Sequence, residues 1–438
     1  MLKQAAALLL LASTTQAAAQ TIPPDVATTL NECKIYNAKG MPVNWATPPQ
    51  QMPHQPRDHT DQLQKQITNA ARGILILSPG DYWIDHITLP AEGIILVGSN
   101  TVLRRSRTVD ISRDFVTIPS HSNNISLVNM TFDLDSSTTN THANAIASQG
   151  NTKYITICRT TIRHVPRNAI VIRSGDRNWR IQRNDIEHVR RFGVVVDFLK
   201  TPAHNIIVKE NNIRWVGESP IAFIASSGGE NDQPSAGVIG STIAGNKVAH
   251  TGQGIGGYSP NNRDVNIVSN RIEHVGIGRI GGHGTHWGGT NIHIKNNIIR
   301  NTNLSAIFFA AWPNGAARKS GFFSITGNSI HNVTANRNGQ GIAIRQAPSG
   351  LIARNTIQSA FGPSIDIQNN ISTTDIERVI LVSNIIIRDR CHNQSKSARE
   401  IILSTRSISI GTIVRDLCGT ATPERNARPG FSPQPPAR

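Results

Sequence analysis

Between residues 160 and 390 the apolar and polar positions of the chain repeat one short unit. The stretches "NWRIQRNDIEHV", "HNIIVKENNIRWV", "VNIVSNRIEHV", "TNIHIKNNIIRNT", "FFSITGNSIHNV", "GLIARNTIQSA" and "VILVSNIIIRD" alternate apolar and polar residues, reach an Asn, add another apolar residue and turn. Alternation at period two marks a strand with one buried face. The repeated position is held by Asn184, Asn211, Asn246, Asn270, Asn296, Asn328, Asn355 and Asn384, with spacings from 24 (246 to 270) to 35 (211 to 246). Thr160 takes the same place one unit earlier. A second inward strand follows at a near-constant distance, entered at Ile170, Val194, Ile221, Ile255, Ile280, Ile307, Ile342 and Ile365. Strands this short cannot bury a face alone, but stacked coils of a solenoid can.

This pattern resembles the right-handed parallel β-helix of the pectate-lyase-like superfamily over about residues 115 to 390, with the asparagines closing one sharp turn of each coil. Upstream, "DHTDQLQKQITNAARGILILSPGDYWIDHITLPAEGIILVG" is similar to that superfamily's entry segment: a capping helix from Thr60 to Ala71, then the first strands. The expected fold is therefore all-β, a parallel solenoid with an N-terminal capping helix. Its divisions are an N-terminal extension over 20–59, the cap and first coils over 60–114, the β-helix over 115–418 and a disordered Pro/Arg-rich tail over 419–438. The superfamily includes lyases, hydrolases, epimerases and phage tailspikes, so the resemblance implies polysaccharide bound along the sheet of second strands without naming the reaction.

The first residues, "MLKQAAALLLLASTTQAAAQ", have the layout of an export signal cut after Ala19, which places the mature protein outside the cytoplasm, secreted or periplasmic. No segment is long and apolar enough for membrane insertion. Export permits disulfides, and Cys391 with Cys418 is the preferred pair among Cys33, Cys158, Cys391 and Cys418. The excess of 44 Lys+Arg over 28 Asp+Glu gives a net charge of +16, which favours an anionic partner. Nothing resembles a stacking platform or recognition helix, so an acidic polysaccharide is expected rather than nucleic acid.

Two histidine populations separate on this frame. His164, His188, His250 and His274 lie four residues after the repeated position, a row that reads as structural. The stretch "GRIGGHGTHWGG" carries the other, His283 and His286. If Ile280 points inward, the third residue after each such position points outward, giving a column of Arg173, Asp197, Ile224, Tyr258, His283, Ala310, Arg345 and Gln368. Tyr258 and His283 would then be neighbours beside Gly256 and Gly281, a pair suited to moving protons at a sugar carbon.

In β-elimination at a uronic acid, Arg345 would neutralise the carboxylate, with Arg173, Asp197, Glu218, Arg279, His286, Trp287 and Trp312 binding substrate. The alternatives are a hydrolase using Asp197 with Glu218 or Glu230 (Asp232 lies nearby), a C5-epimerase, or a non-catalytic glycan binder. No cofactor is expected. A zinc site on His283-x-x-His286 lacks a third ligand, and a structural or substrate-bridging calcium is left open but not indicated.

Overall fold

The alternating units wind into a parallel β-helix with three strands to a coil. One coil runs Lys153–Cys158, Thr161–Val165, Ile170–Ile172, and the next runs Arg180–Gln182, Asp185–Val189, Val194–Val196. Among the described residues, corresponding strands pair in parallel along the axis and build a first sheet of 16 strands, a second of 14 (its last strand antiparallel) and a third of 12. In this computed structural model the described residues span 21–422, without 36, 37, 39, 47–57, 106–112, 135–142, 198–199, 225–235, 277–281, 311–320, 335–338, 346–348, 361, 369–378, 389–400, 404–407 and 417–420. The export signal, the Cys391–Cys418 pair, Glu230, Asp232, Arg279 and Trp312 lie outside them. Among the described residues no helix is long and apolar enough to cross a membrane.

The turn from first to second sheet is held by an amide ladder. Asn211 Oδ1 accepts both the backbone N–H (2.9 Å) and the Nδ2 (2.9 Å) of Asn184, whose Nδ2 also donates to the Ile157 carbonyl. The same bonds recur through Asn246, Asn270, Asn328, Asn355 and Asn384. Each amide satisfies backbone groups that the sharp turn strips of partners, and losing one would leave buried groups unpaired at about 1–3 kcal/mol each. One rung is corrected: the ladder residue is Asn297, not Asn296. Asn296 takes the preceding, left-handed position (φ 55°), as Arg183, Glu210 and Ser269 do in other coils. Of two adjacent asparagines, the buried one makes the ladder.

Four residues after each ladder position the second-sheet strand bulges, again with positive φ, at His164, His188, Trp215, His250, His274, Asn301 and Asn332. Left-handed backbone is costly for such residues, and ring stacking offsets part of that cost. The centroids of His164, His188, Trp215, His250 and His274 follow one another at 5.5, 6.2, 4.2 and 4.9 Å with interplanar angles of 22° or less. This is a row of stacked rings, not a convergent ligand set.

Helix α2 (Thr60–Asn69) puts Leu63 and Ile67 into the main core at the start of the coils. Helix α1 (Pro24–Glu32), in the segment expected only as an extension, lays Val26 and Leu30 against Ile74, Ile76, Ile95 and Val97 on the outer face of the first sheet. A Cys33–Cys158 disulfide fastens it there. Because that bridge closes a separation of 125 residues, Cys33→Ala/Cys158→Ala should lower the unfolding free energy by about 2–5 kcal/mol, read from urea denaturation. At the far end Ala421–Thr422 pairs antiparallel with Ile413–Asp416, so the strand order extends into the segment expected to be a tail.

Candidate functional site

The third sheet presents an outward face whose columns follow from its register. Ile170, Val194 and Ile221 align as expected, and Ile307, Ile342 and Ile365 do too. Between these groups the partner of Ile255 is Thr285, not Ile280. The rung therefore enters 15 residues after Asn270 (285 − 270) instead of 10, because the connection "GIGRIGGHG" is longer there. This slip changes the site. One outward column is Arg173, Asp197, Ile224, Tyr258, Gly288, Ala310, Arg345 and Gln368; the adjacent one is Val171, Val195, Ala222, Gly256, His286, Phe308, Ala343 and Asp366.

His283 is thus displaced from the Tyr258 column to the lip of its strand, and His286 takes the place beside Gly256 that Gly281 was expected to hold. Trp287 is also corrected. It points inward, is 0% exposed, and donates its indole N–H to Thr285 Oγ1 at 2.8 Å, so it is core and not a sugar platform.

The slip places His286 between Tyr258 and His283 in one aromatic cluster. The Tyr258 ring meets His286 edge-on at 4.9 Å, and His286 lies 5.2 Å from His283. Phe308 packs on both imidazoles, at 4.6 Å from His283 and 4.7 Å from His286. Gly256 makes room for the phenol: a Cβ there would stand 2.8 Å from both Cζ and the hydroxyl of Tyr258. That hydroxyl lies 3.5 Å from Ser219 Oγ. Burial raises the phenol above its ordinary pKa and the Glu218 charge adds to the effect, while Ser219 opposes it.

Both imidazoles titrate far below the usual histidine range. Burial, the main cause, brings His283 down to about 4 against an opposing hydrogen bond with the Ser305 backbone. It brings His286 to about 3, helped by the neighbouring His283. Nδ1 of His283 is buried without a hydrogen-bond partner among the described residues. With Ser305 holding the ring through its other nitrogen, Nδ1 carries the lone pair of a neutral imidazole.

The unfolded chain protonates its histidines near pH 6.5, so it binds more protons than the folded one below that value. The stability linked to this pair is complete above pH 6.5 and is lost as pH falls through about 4 and then about 3. The urea midpoint should accordingly drop on acidification, and drop less in a His286→Phe variant.

The remaining residues spread along the face. Arg345 lies three rungs from Tyr258 and is committed to Asp366: Nη2 donates to Oδ2 at 2.7 Å, and Nη1 to the Asp366 carbonyl at 3.1 Å. Asp366, 1% exposed, was not singled out in the sequence. Its Oδ2 also accepts from Gln340 (3.2 Å) and Gln368 (3.1 Å), while Oδ1 is buried without a hydrogen-bond partner among the described residues. The signal was available, because Asp366 is the one charged residue in the column of Gly256 and His286.

Asp197 sits two rungs from Tyr258 and Arg173 three, toward the N-terminal end. Glu218 is ion-paired to Arg191 (Nε to Oε1, 2.8 Å). Among the described residues no three His, Cys, Asp or Glu side chains come together to hold a metal ion.

No family model and no curated protein matches the chain. Among solved structures it is similar to the mannuronan C-5 epimerase AlgE6 A-module of Azotobacter vinelandii (TM-score 0.55, 16% identity, covering 82% of this chain and 96% of that one). It is also similar to the polygalacturonase from Erwinia carotovora ssp. carotovora (0.50, 11%, 84% and 96%). A third is a tailspike protein mutant of E. coli bacteriophage HK620 in complex with a pentasaccharide (0.51, 12%, 91% and 73%). At these identities the likeness is one of fold alone: a right-handed parallel β-helix.

Proposed function

We propose that this chain is an exported enzyme that cleaves an acidic, uronate-containing polysaccharide by β-elimination on the outer face of the third sheet. The observation that carries the proposal is His283, kept neutral by burial with Nδ1 unpartnered, in one aromatic cluster with His286 and Tyr258. A neutral imidazole accepts a proton throughout the neutral range. In the step, the neutral His283 imidazole, whose Nδ1 is covered in the free protein and must be uncovered as substrate enters, takes the C5 proton of the uronate. The C5–H electron pair becomes the C4=C5 double bond, the C4–O glycosidic bond breaks, and the departing oxygen takes the Tyr258 phenolic proton. The raised phenol pKa keeps that proton in place until it is needed.

The carboxylate requires a cation for C5 to be acidic. Arg345 is bound to Asp366 three rungs away, and Arg279, which the sequence offers four residues before His283, lies outside the described residues. The net charge of +16 and the fold shared with polysaccharide-active proteins favour a polyanionic substrate. For the hydrolase alternative, Asp197 stands on the same column two rungs from Tyr258, but its expected partner Glu218 is paired with Arg191 and Asp366 is closed by three donors, while Glu230 lies outside the described residues.

Digestion in deuterated water distinguishes the chemistries. Elimination leaves an unsaturated end on each new non-reducing terminus. Deuterium entering C5 of an uncut polymer would make the protein an epimerase, and saturated new ends would make it a hydrolase.

A further inference from the structure

At the corner where the third sheet turns into the first, one register position carries a row of cations. Asn123 aligns with Lys153, Lys153 with Arg177 and Arg177 with His204; the column continues through Ile239 to Arg263. From Lys153 to Arg263 is four rungs, about 19 Å at the inter-strand spacing of a sheet. Lys153, Arg177 and Arg263 are exposed, and none of them takes part in an ion pair among the described residues. Their field is felt by His204, whose pKa is lowered by burial first and by Arg177 and Arg263 next.

The N-terminal end of this row opens into a cavity of about 430 Å³ lined by His121, Asn123, Asn151, Lys153, Tyr154 and Arg177, among others. In the next register position most coils carry a left-handed amide or acid, namely Asn124, Asn178, Asn205, Asp264 and Asn291. Neighbours there bond to one another, as Asn205 does to Asn178 at 3.0 Å. Tyr154 interrupts that row with an aromatic ring left 57% exposed. A left-handed, exposed tyrosine gains nothing from packing, and it stands at the cavity between two unpaired cations.

We propose that this corner is a second, non-catalytic binding surface for an anionic polysaccharide, with Lys153 and Arg177 meeting successive carboxylates and Tyr154 stacking on a sugar ring. An extended uronate chain carries one carboxylate per sugar at a repeat close to the rung spacing. The asparagines around the cavity offer both donors and acceptors, which is what sugar hydroxyls require. A single aromatic among amides is poor for nucleic acid, whose single strands need successive stacking platforms. The polymer class rests on the function proposed above, but the surface is separate from the Tyr258–His283 cluster and is tested without turnover.

The test is calorimetric binding of polygalacturonate to the whole protein. Lys153→Ala/Arg177→Ala should weaken affinity at least about tenfold, or about 1.4 kcal/mol, and Tyr154→Ala should weaken it severalfold with no change of charge. Lys247→Ala/Arg271→Ala removes the same charge from the second sheet and should leave affinity nearly intact. Turnover of short soluble oligosaccharides by the Lys153/Arg177 variant should match the parent. Equal losses in the two double variants would reduce the effect to net charge and overturn the proposal. Single-stranded DNA bound as tightly as polygalacturonate through the same residues would overturn the assigned ligand. Binding that survives in a protein without activity on any uronate would sink the catalytic proposal while leaving this one standing.

Discussion

Replacing His283 with Ala should cut turnover of an acidic polysaccharide at least about a hundredfold, the lower range of what a positioned acid or base contributes. Tyr258→Phe should do the same, because the departing glycosidic oxygen would lose its proton donor while the ring stays packed on His286. Polymer affinity should change little in either variant, since neither side chain supplies charge to the substrate. The checks are kcat at saturating polymer, a binding isotherm and a thermal melt on each purified variant. A folded His283→Ala protein with most of its activity would remove the base from the scheme. The pH profile gives a second view. A base titrating near 4 holds the acid limb of kcat well below the ordinary histidine range, whereas an exposed histidine would lose activity near pH 6.5.

The largest stability effect should come from Trp287→Ala, at about 3–5 kcal/mol for a large aromatic removed from a packed core. Trp287 is fully buried and meets the Phe223 ring edge-on at 5.7 Å, two coils away across Gly257. Urea denaturation measures the loss, and Trp287→Phe should recover part of it. A Trp287→Ala protein of undiminished stability but weakened polymer binding would return this residue to the outer face and contradict the register.

That register marks where the sequence stopped being a sufficient guide. The coils were legible because each strand alternates at period two and each sharp turn needs an amide, so Asn184, Asn211 and Asn246 announce themselves. Asn296 misled because two adjacent asparagines look alike until one is buried. With Asn297 as the ladder residue, the distance to Ile307 becomes 10, the same as in four other coils, which sequence alone could have shown.

The next rung had no such cue. Ile280 stood at the usual distance of 10 from Asn270, and nothing local says that the true inward residue is the polar Thr285, whose hydroxyl is occupied by the Trp287 indole. A connection longer by five residues reverses which side chains face out, because faces alternate with every residue. Trp287 left the groove for the core on that account, while His286 took the outward place beside Gly256. Tyr258 kept its place, because its strand entered on time. The Cys33–Cys158 bridge joins parts of the chain that only coiling brings together, and no spacing rule predicts it. Asp366 lies in the outward column beside the one that carries Tyr258 and Arg345, so its link to Arg345 emerges only when both columns are set side by side.

The most direct measurement of the central claim is the ultraviolet absorbance of unsaturated ends during incubation with polygalacturonate, alginate and a neutral glucan, at neutral pH, for the parent protein and His283→Ala side by side. Absorbance should rise on at least one uronate polymer with the parent and not on the neutral glucan, at a rate at least about a hundredfold lower in the variant. Depolymerisation of a uronate without any unsaturated product, or the same rate in both proteins, would contradict it.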